Sequence, residues 1–338
     1  MLSWELWKGT GEEWNRILFT SEDHNVFQSF EWGIYKAYAN WKVVRYSCLD
    51  KKGKTLGMAQ LLVKKLPFGL TFIWSPGAPV FSFPGNADDL VELLEDLVQK
   101  IHTDHPRSVV RLNSIVETSS PVAYNFNRVC RRPFFKINSG YSVQFKIGDT
   151  PEDIKRKMTS KHRYYAKKAS GAGIDWQAGN DDKLLADFAI LHSEMVDNKK
   201  LTLGVISSQD LENMRAALGN GLLMLIGYMD GHPVSGCLVL VYGKKAFYMS
   251  ASSGKRGRDV SAAYNMFEQL MKELNERGFT DLDFGGIDPI NAASAGVNHY
   301  KCGFGGRIVE YIGEWESATS ETVRLLINLA IRFKGGQV

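Results

Sequence analysis

The stretch 222–251 reads LLMLIGYMDGHPVSGCLVLVYGKKAFYMSA, and it decides the fold. Apolar runs at 222–229, 234–242 and 246–251 read as strands, and Asp230-Gly231 between the first two is a tight hairpin signal. A helical pattern follows at 260–277, and a short strand at 281–284. The predicted order of elements is β-β-β-α-β.

The first half of the chain repeats this order, with strands at 43–50, 56–63 and 70–74, a helix at 87–103 and a strand at 108–112. A strand meander, a helix and a further strand form the core of the acetyltransferase-like (GNAT) fold. We therefore predict an α/β (α+β) protein of two tandem GNAT-like acyl-CoA N-acyltransferase lobes, with mixed sheets flanked by helices. Lobe 1 is expected at 1–145, completed by a C-terminal helix at 317–338, and lobe 2 at 146–316.

The expected final helix carries a predicted apolar face that packs back on lobe 1. Its members are Val323, Leu326, Leu329, Ala330 and Phe333.

Composition places the chain among ordinary globular proteins. Its 338 residues suit two domains, with 44% hydrophobic and 23% charged residues and a net charge of +4. The N-terminus is charged where a signal peptide would be apolar, and the longest apolar runs are too short to span a membrane. Four scattered cysteines indicate a reducing compartment and no structural metal. We expect a soluble, cytoplasmic protein.

Trp32 and Lys36 lie one helical turn apart and share a face. An aromatic ring and a cation together suit a phosphate or nucleotide contact. A core tryptophan beside a surface lysine explains the pair equally simply.

A second cluster is the basic run at 155–168, in which Lys161, Arg163 and Lys167 accompany two tyrosines. Arginine and lysine in such a helix could hold the phosphates of a nucleotide sugar or of a tRNA acceptor end. A solvated basic face is the alternative.

The segment after Tyr248 runs from a strand into a loop with Gly254, Arg256 and Gly257, and then into a helix. In coenzyme A-binding acetyltransferases the corresponding loop presents backbone N–H groups to a pyrophosphate. The usual glycine pattern is incomplete here, so the sequence allows coenzyme A binding without supporting it.

The most distinctive stretch is Asp281-Leu-Asp-Phe-Gly-Gly286 followed by Tyr300-Lys301-Cys-Gly-Phe-Gly305. Paired glycines at a strand end allow a close backbone approach. The pair Cys302 and His299 is better explained by packing than by nucleophilic catalysis.

Four motifs in this order resemble the Fem (FemABX-like) peptidoglycan-bridge aminoacyltransferases. They are Gln28-Ser29 with Trp32 and Lys36, Ser160-Lys161-x-Arg163, Asp283-Phe-Gly-Gly286, and Tyr300-Lys301-x-x-Phe304-Gly305. The resemblance implies transfer of an amino acid from aminoacyl-tRNA to an amine of a cell-wall precursor. It also implies that Tyr300 and Lys301 carry the chemistry and that Lys36 contacts the precursor's phosphates.

Two departures from the family qualify this expectation. The chain lacks the charged heptad insertion of the longer staphylococcal members, and 201–206 lacks a second phosphate-binding arginine, so the muramyl-nucleotide acceptor is in doubt.

From the residues and the resemblance together we expect amine attack on an activated acyl carbonyl without a covalent enzyme intermediate. Lys301 and Tyr300 are the expected catalytic residues. The expected substrate-binding residues are Trp32, Lys36, Lys161, Arg163, Lys167, Tyr248, Arg256 and Asp283.

We expect no tightly bound cofactor, with aminoacyl-tRNA or acyl-CoA as co-substrate. The expected partners are a nucleotide- or lipid-linked envelope precursor and tRNA, with peripheral contact to the inner membrane compatible with either. Two alternatives stay open: an acyl-CoA-dependent N-acyltransferase acting on an amino sugar of a surface polysaccharide, and a non-catalytic GNAT-like binding module.

Overall fold

A computed structural model of the chain describes residues 3–82, 87–120, 126–148, 151–199 and 205–333. These residues divide into two units, 1–140 with 310–338, and 141–309. The sequence placed the corresponding boundaries at 145 and 316.

The described residues of the first unit form paired strands and helices. The strands are β1 (Ser3–Leu6), β2 (Lys42–Leu49), β3 (Thr55–Lys65), β4 (Thr71–Pro76), β5 (Val80–Phe81) and β6 (Ser108–Glu117), and the helices are α1 (Gly11–Leu18), α2 (Phe30–Tyr38), α3 (Ala87–Asp104), α4 (Phe126–Val129) and, from the end of the chain, α12 (Glu321–Phe333). Most of β13 (Arg307–Ala318) also belongs to it. Its sheet has the order β1-β2-β3-β4-β6-β13, in which β4 and β6 run parallel.

The second unit contains β7 (Tyr141–Lys146), β8 (Asp175–Gly179), β9 (Leu222–Met229), β10 (His232–Tyr242), β11 (Lys245–Ser253) and β12 (Asp281–Ile287). Its helices are α5 (Pro151–Lys157), α6 (Ser160–Ser170), α7 (Asp182–Lys199), α8 (Ser208–Leu218), α9 (Lys255–Asp259), α10 (Ala262–Glu276) and α11 (Ala295–Cys302). The strand order is β7-β12-β11-β10-β9-β8, with β11 and β12 parallel.

The predicted β-β-β-α-β order is present in both units, and the predicted α/β class with mixed sheets flanked by helices is confirmed. The hairpin between β9 and β10 turns at Asp230 and Gly231, whose φ angles are 51° and 77°. Two consecutive positive φ values define a type I′ turn, whose twist matches that of the flanking strands.

Helix α10 packs on the second unit's sheet through Met266, Phe267, Leu270 and Leu274, which are all buried. Helix α3 covers one face of the first unit's sheet in the same way, with Leu93, Leu97 and Ile101. The spacing of three and four residues puts each set on one helix face.

Helix α12 covers the other face of the first unit's sheet through Val323, Ile327 and Ile331. The predicted face of this helix was wrong at Leu326 and Phe333, which are 47% and 86% exposed. The helix is rotated from the expected orientation because two polar side chains on its buried side, Arg324 and Asn328, bond the buried Glu316.

Candidate active site

The parallel strands β11 and β12 pair over only three residues, from Lys245 opposite Asp281 to Phe247 opposite Asp283. Beyond that point the strands diverge. The register between β10 and β11 shifts so that Met249 is an extra residue, and such a bulge bends the strand that carries it. The divergence opens a cleft of about 670 Å³ in the second unit.

The cleft is lined by β11, the ends of α7 and α9, the start of α10, and α11. The side chains are mainly apolar or small, and Lys301 and Arg258 are the two cations among the described lining residues, which include no carboxylate. The set is Met195, Asn198, Tyr248, Met249, Ser250, Ala251, Ser252, Ser253, Arg258, Ala263, Met266, Ala293, Gly296, Val297, Tyr300 and Lys301.

Lys301 lies on α11, and its ammonium donates a hydrogen bond of 3.0 Å to the carbonyl oxygen of Gly286. Its Nζ lies 5.9 Å from the ring centroids of both Tyr248 and Phe284. Loss of hydration in this apolar setting lowers the pKa of Lys301 to about 8, although the carboxylate of Asp283 opposes the shift. A weakly hydrated ammonium interacts strongly with a negative charge that develops nearby.

Gly285 is glycine because the Lys301 side chain and the Tyr248 backbone occupy the space of a side chain there. A Cβ on Gly285 would lie 2.9 Å from both the Lys301 Nζ and the Tyr248 carbonyl oxygen, and its φ of 81° disfavours other residues. The paired glycines were expected to let the backbone approach a ligand closely. At Gly285 the backbone instead approaches the Lys301 side chain.

Asp283 holds the bend of β12 at these glycines. Its Oδ1 accepts hydrogen bonds from the Gly285 N–H, at 2.8 Å, and from the Ser142 hydroxyl. The carboxylate therefore shapes the backbone beneath Lys301.

Tyr248 and Tyr300 form the apolar floor of the cleft with their rings. The hydroxyl of Tyr300 donates to the Ala263 carbonyl at 2.8 Å, whereas the buried hydroxyl of Tyr248 has no hydrogen-bond partner among the described residues. Burial raises the pKa of both phenols, so both stay protonated. The buried Tyr248 hydroxyl also interacts with Tyr300.

The basic helix α6 exposes Lys161 and Lys167, but Arg163 bonds the Met158 carbonyl and the Ser160 hydroxyl. Arg163 thus caps α5 with part of its guanidinium. Arg256 pairs with Asp230 at 2.6 Å and is not among the residues that line the cleft.

Trp32 and Lys36 lie in the first unit. Trp32 is only 4% exposed and packs edge-on against Phe27, while the Lys36 ammonium lies 5.2 Å from the Trp32 ring centroid. The tryptophan is a core residue that supports the lysine by a cation–π contact. The sites predicted at Trp32 and Lys36 and at Tyr300 and Lys301 are therefore in different units.

Sequence reasoning missed Arg258, which lines the cleft and bonds the Ser253 carbonyl, and the methionines around it. It also missed His162, whose surroundings are described below. The segment 201–204, where a second arginine was sought, lies outside the described residues.

The comparisons with known proteins agree with this architecture. The match to the crystal structure of FemX covers 96% of this chain and 100% of the FemX chain, with a TM-score of 0.82 and 18% sequence identity. A tandem GNAT protein from the clavulanic acid biosynthesis pathway covers 95% of the chain and 99% of its own at a TM-score of 0.54 and 11% identity. These likenesses define a tandem acetyltransferase-like protein by fold.

Sequence similarity to one family covers part of the chain. Residues 209–332 match the model of the FemAB family, which confirms the resemblance to the Fem family. Over 103 residues the chain is 31% identical to the lipid II:glycine glycyltransferase of Staphylococcus aureus strain USA300. This match takes in 29% of the chain and 24% of the relative, so the chain spans about a quarter of the length of the curated relatives it matches.

No helix among the described residues is long and apolar enough to cross a membrane.

Proposed function

We propose that the chain is an aminoacyltransferase that builds a peptidoglycan bridge, moving an amino acid from aminoacyl-tRNA to an amine of a nucleotide- or lipid-linked precursor in the cytoplasm. The observation that carries the proposal is the desolvated ammonium of Lys301 beside the cleft between the diverging strands. The FemAB match of 209–332 and the named activity of the staphylococcal relative support it.

In the reaction, the amine nitrogen bonds to the ester carbonyl carbon and the carbonyl oxygen becomes an oxyanion. The tetrahedral species then expels the ribose oxygen, which leaves with the proton that the amine gives up. Protonated Lys301 stabilises the oxyanion more than it stabilises the neutral ester, so it lowers the barrier to the chemical step.

The hydrogen bonding after β11 disfavours the acyl-CoA alternative. The N–H groups of Gly254, Lys255 and Arg258 already donate to the Val234 carbonyl, the Glu194 carboxylate and the Gly254 carbonyl, respectively. A coenzyme pyrophosphate needs such N–H groups free, and the Glu194 carboxylate would repel it.

Packing beneath this segment closes the same space. A Cβ at Gly257 would lie 2.0 Å from the Val234 carbonyl oxygen, so α9 sits directly on β10.

The exposed Lys161 and Lys167 of α6 and the Lys36 of the first unit are proposed to contact phosphates of the two substrates. Each such contact releases condensed counterions, so binding of tRNA should weaken steeply as salt rises.

The test is a reconstituted reaction with a purified envelope precursor and mixed aminoacyl-tRNA. We expect transfer that ribonuclease abolishes and that a series of purified acyl-CoA thioesters does not restore. Activity that survives ribonuclease and depends on acyl-CoA would move the assignment to the N-acyltransferase, and precursor binding without turnover on any donor would identify a binding module.

A further inference from the structure

His162 is a fully buried histidine in the first turn of α6, and it faces the end of α11, the helix that carries Lys301. It does not line the cleft. Its ring makes edge contacts with Phe304 and Tyr264 at centroid distances of 4.9 and 5.0 Å.

The histidine caps α11. The last four carbonyls of a helix have no partner within it, and here the Tyr300 carbonyl lies 3.0 Å from the His162 Nε2. A carbonyl oxygen only accepts, so Nε2 carries the hydrogen and Nδ1 is left to accept from the Thr159 hydroxyl at 2.8 Å. The ring is thereby fixed in one tautomer and one orientation.

A second bond from the same turn holds the residue that follows α11. The Thr159 N–H donates to the Gly303 carbonyl at 2.9 Å. Helix α6 therefore grips the end of α11 at two points on either side of Lys301 and Cys302.

Gly303 confirms how closely the ring fits. A Cβ on this residue would lie 1.9 Å from the His162 Cε1, although its φ of −67° suits any residue. Glycine is required here by the ring and not by the backbone conformation.

We propose that His162 is a positioning residue that clamps the end of α11, and so holds the Lys301 ammonium against the Gly286 carbonyl in its desolvated place. The effect on catalysis rests on the proposed function. The effect on the position of Lys301 does not, because it follows from the contacts of His162 alone. A histidine side chain that donates to the carbonyl immediately before Lys301 restrains that residue more directly than apolar packing alone would.

The charged and titratable groups around the clamp favour its neutral form. Burial lowers the pKa of His162, and His299 on α11 and Lys161 on α6 lower it further, against the opposing effect of the Tyr300 carbonyl. The groups that face Lys301 are Asp283 and Cys302.

The experiment compares His162→Leu, His162→Gln and Gly303→Ala with the control His232→Leu, which changes an exposed histidine of β10. Leucine removes the donor, whereas glutamine restores an N–H near the position of Nε2. Gly303→Ala disrupts the same contact from α11 and leaves the histidine in place. It provides the test if His162→Leu does not fold.

The first readout is the pKa of Lys301, measured as the pH dependence of its labelling by an amine-acylating reagent and located by mass spectrometry. We expect a value near 8 in the parent protein, in His162→Gln and in His232→Leu, and a rise toward the ordinary 10.5 in His162→Leu and Gly303→Ala, where Lys301 gains water. This readout needs no activity. An unchanged pKa in folded His162→Leu and Gly303→Ala would overturn the clamp.

The second readout is steady-state transfer. We expect kcat to fall between about tenfold and hundredfold in His162→Leu, as small misplacements of a reacting group do, with the KM of the precursor within about twofold and recovery in His162→Gln. If the Lys301 pKa rises in the two variants but the parent protein itself transfers nothing, the clamp stands and the proposed function is rejected. A raised pKa with unchanged kcat would reject its role in catalysis.

Discussion

The two units differ in how far their equivalent pairs of parallel strands stay hydrogen-bonded. In the first unit β4 and β6 pair over six residues, from Thr71 opposite Ser108 to Pro76 opposite Asn113, whereas β11 and β12 of the second unit separate after three. The cleft opens only where the strands separate, because a paired strand has no free space or backbone groups to offer a ligand.

The first unit also seals the end of its strand pair with a side chain. The fully buried Gln28 donates to the carbonyls of Pro76 and Gln60 and accepts from the Gln60 N–H. At the matching place the second unit has the cleft, with the Tyr248 hydroxyl unsatisfied.

The two units also differ in how a cation away from solvent is paired. The first unit buries Arg111 completely, and its guanidinium contacts Glu314 at 3.2 Å, Glu316 at 2.7 Å and the Asn328 side chain at 2.9 Å. The second unit leaves the ammonium of Lys301 with a single carbonyl as its hydrogen-bond acceptor among the described residues. The charge of Arg111 is taken up by buried carboxylates, whereas that of Lys301 remains available to a reacting group.

Removal of the buried arginine should give the largest effect. Arg111→Met leaves the buried Glu314 without a cation and Glu316 with Arg324 alone, and we expect a loss of about 3–5 kcal/mol in the free energy of unfolding. Burial already raises the pKa of Glu314, so its protonation should reduce the loss as the pH falls from about 7.5 to about 5.5.

Denaturant titration at the two pH values measures this loss. Arg131→Met, which breaks an exposed pair with Glu321, is the matched control and should cost less than about 1 kcal/mol. Equal losses in both variants would contradict the structural role given to the buried network.

The second prediction concerns the cation of the second unit. Lys301→Met should lower kcat by about 10²–10³-fold, or roughly 2.7–4 kcal/mol in the barrier, because the oxyanion loses its stabilising charge. The melting temperature should stay near that of the parent.

The control for this variant is Lys272→Met on α10, whose lysine is 67% exposed and pairs with Glu276. It should change neither quantity, since exposed substitutions usually stay within about 0.5 kcal/mol. If Lys301→Met changes activity less than about threefold, the lysine is only a partly buried surface residue. A large fall in melting temperature would instead identify it as structural.

The smallest expected effect tests the backbone beneath the lysine. Gly285→Ala should displace Lys301 and strain a position of positive φ, at a cost of about 1–3 kcal/mol in stability and about tenfold in kcat. Gly286→Ala is matched in sequence, but its Cβ would lie no closer than 3.7 Å to a neighbour. Comparable kinetics in the two variants would show that the approach of Gly285 to Lys301 has no catalytic consequence.

Much of the architecture was predictable because it depends on local patterns. The apolar runs at 222–251, the Asp230-Gly231 turn and the three-and-four spacing of α3 and α10 each report a structure through near neighbours along the chain. The Fem motifs likewise anticipated the match of 209–332 to the FemAB family model, and Asp283 and Gly285 do lie close to Lys301.

The sequence alone determined the order β-β-β-α-β and the two related units, and it singled out Tyr300 and Lys301 as candidates for the chemistry. Tertiary structure decided that Arg256 pairs with Asp230, that Trp32 is buried, and that α12 turns Arg324 and Asn328 inward. It also decided where β11 and β12 separate. The physical reason is that periodicity along a chain specifies which residues share a face. Burial, charge pairing and strand pairing depend instead on partners distant in sequence, as in the pairing of Phe247 with Asp283.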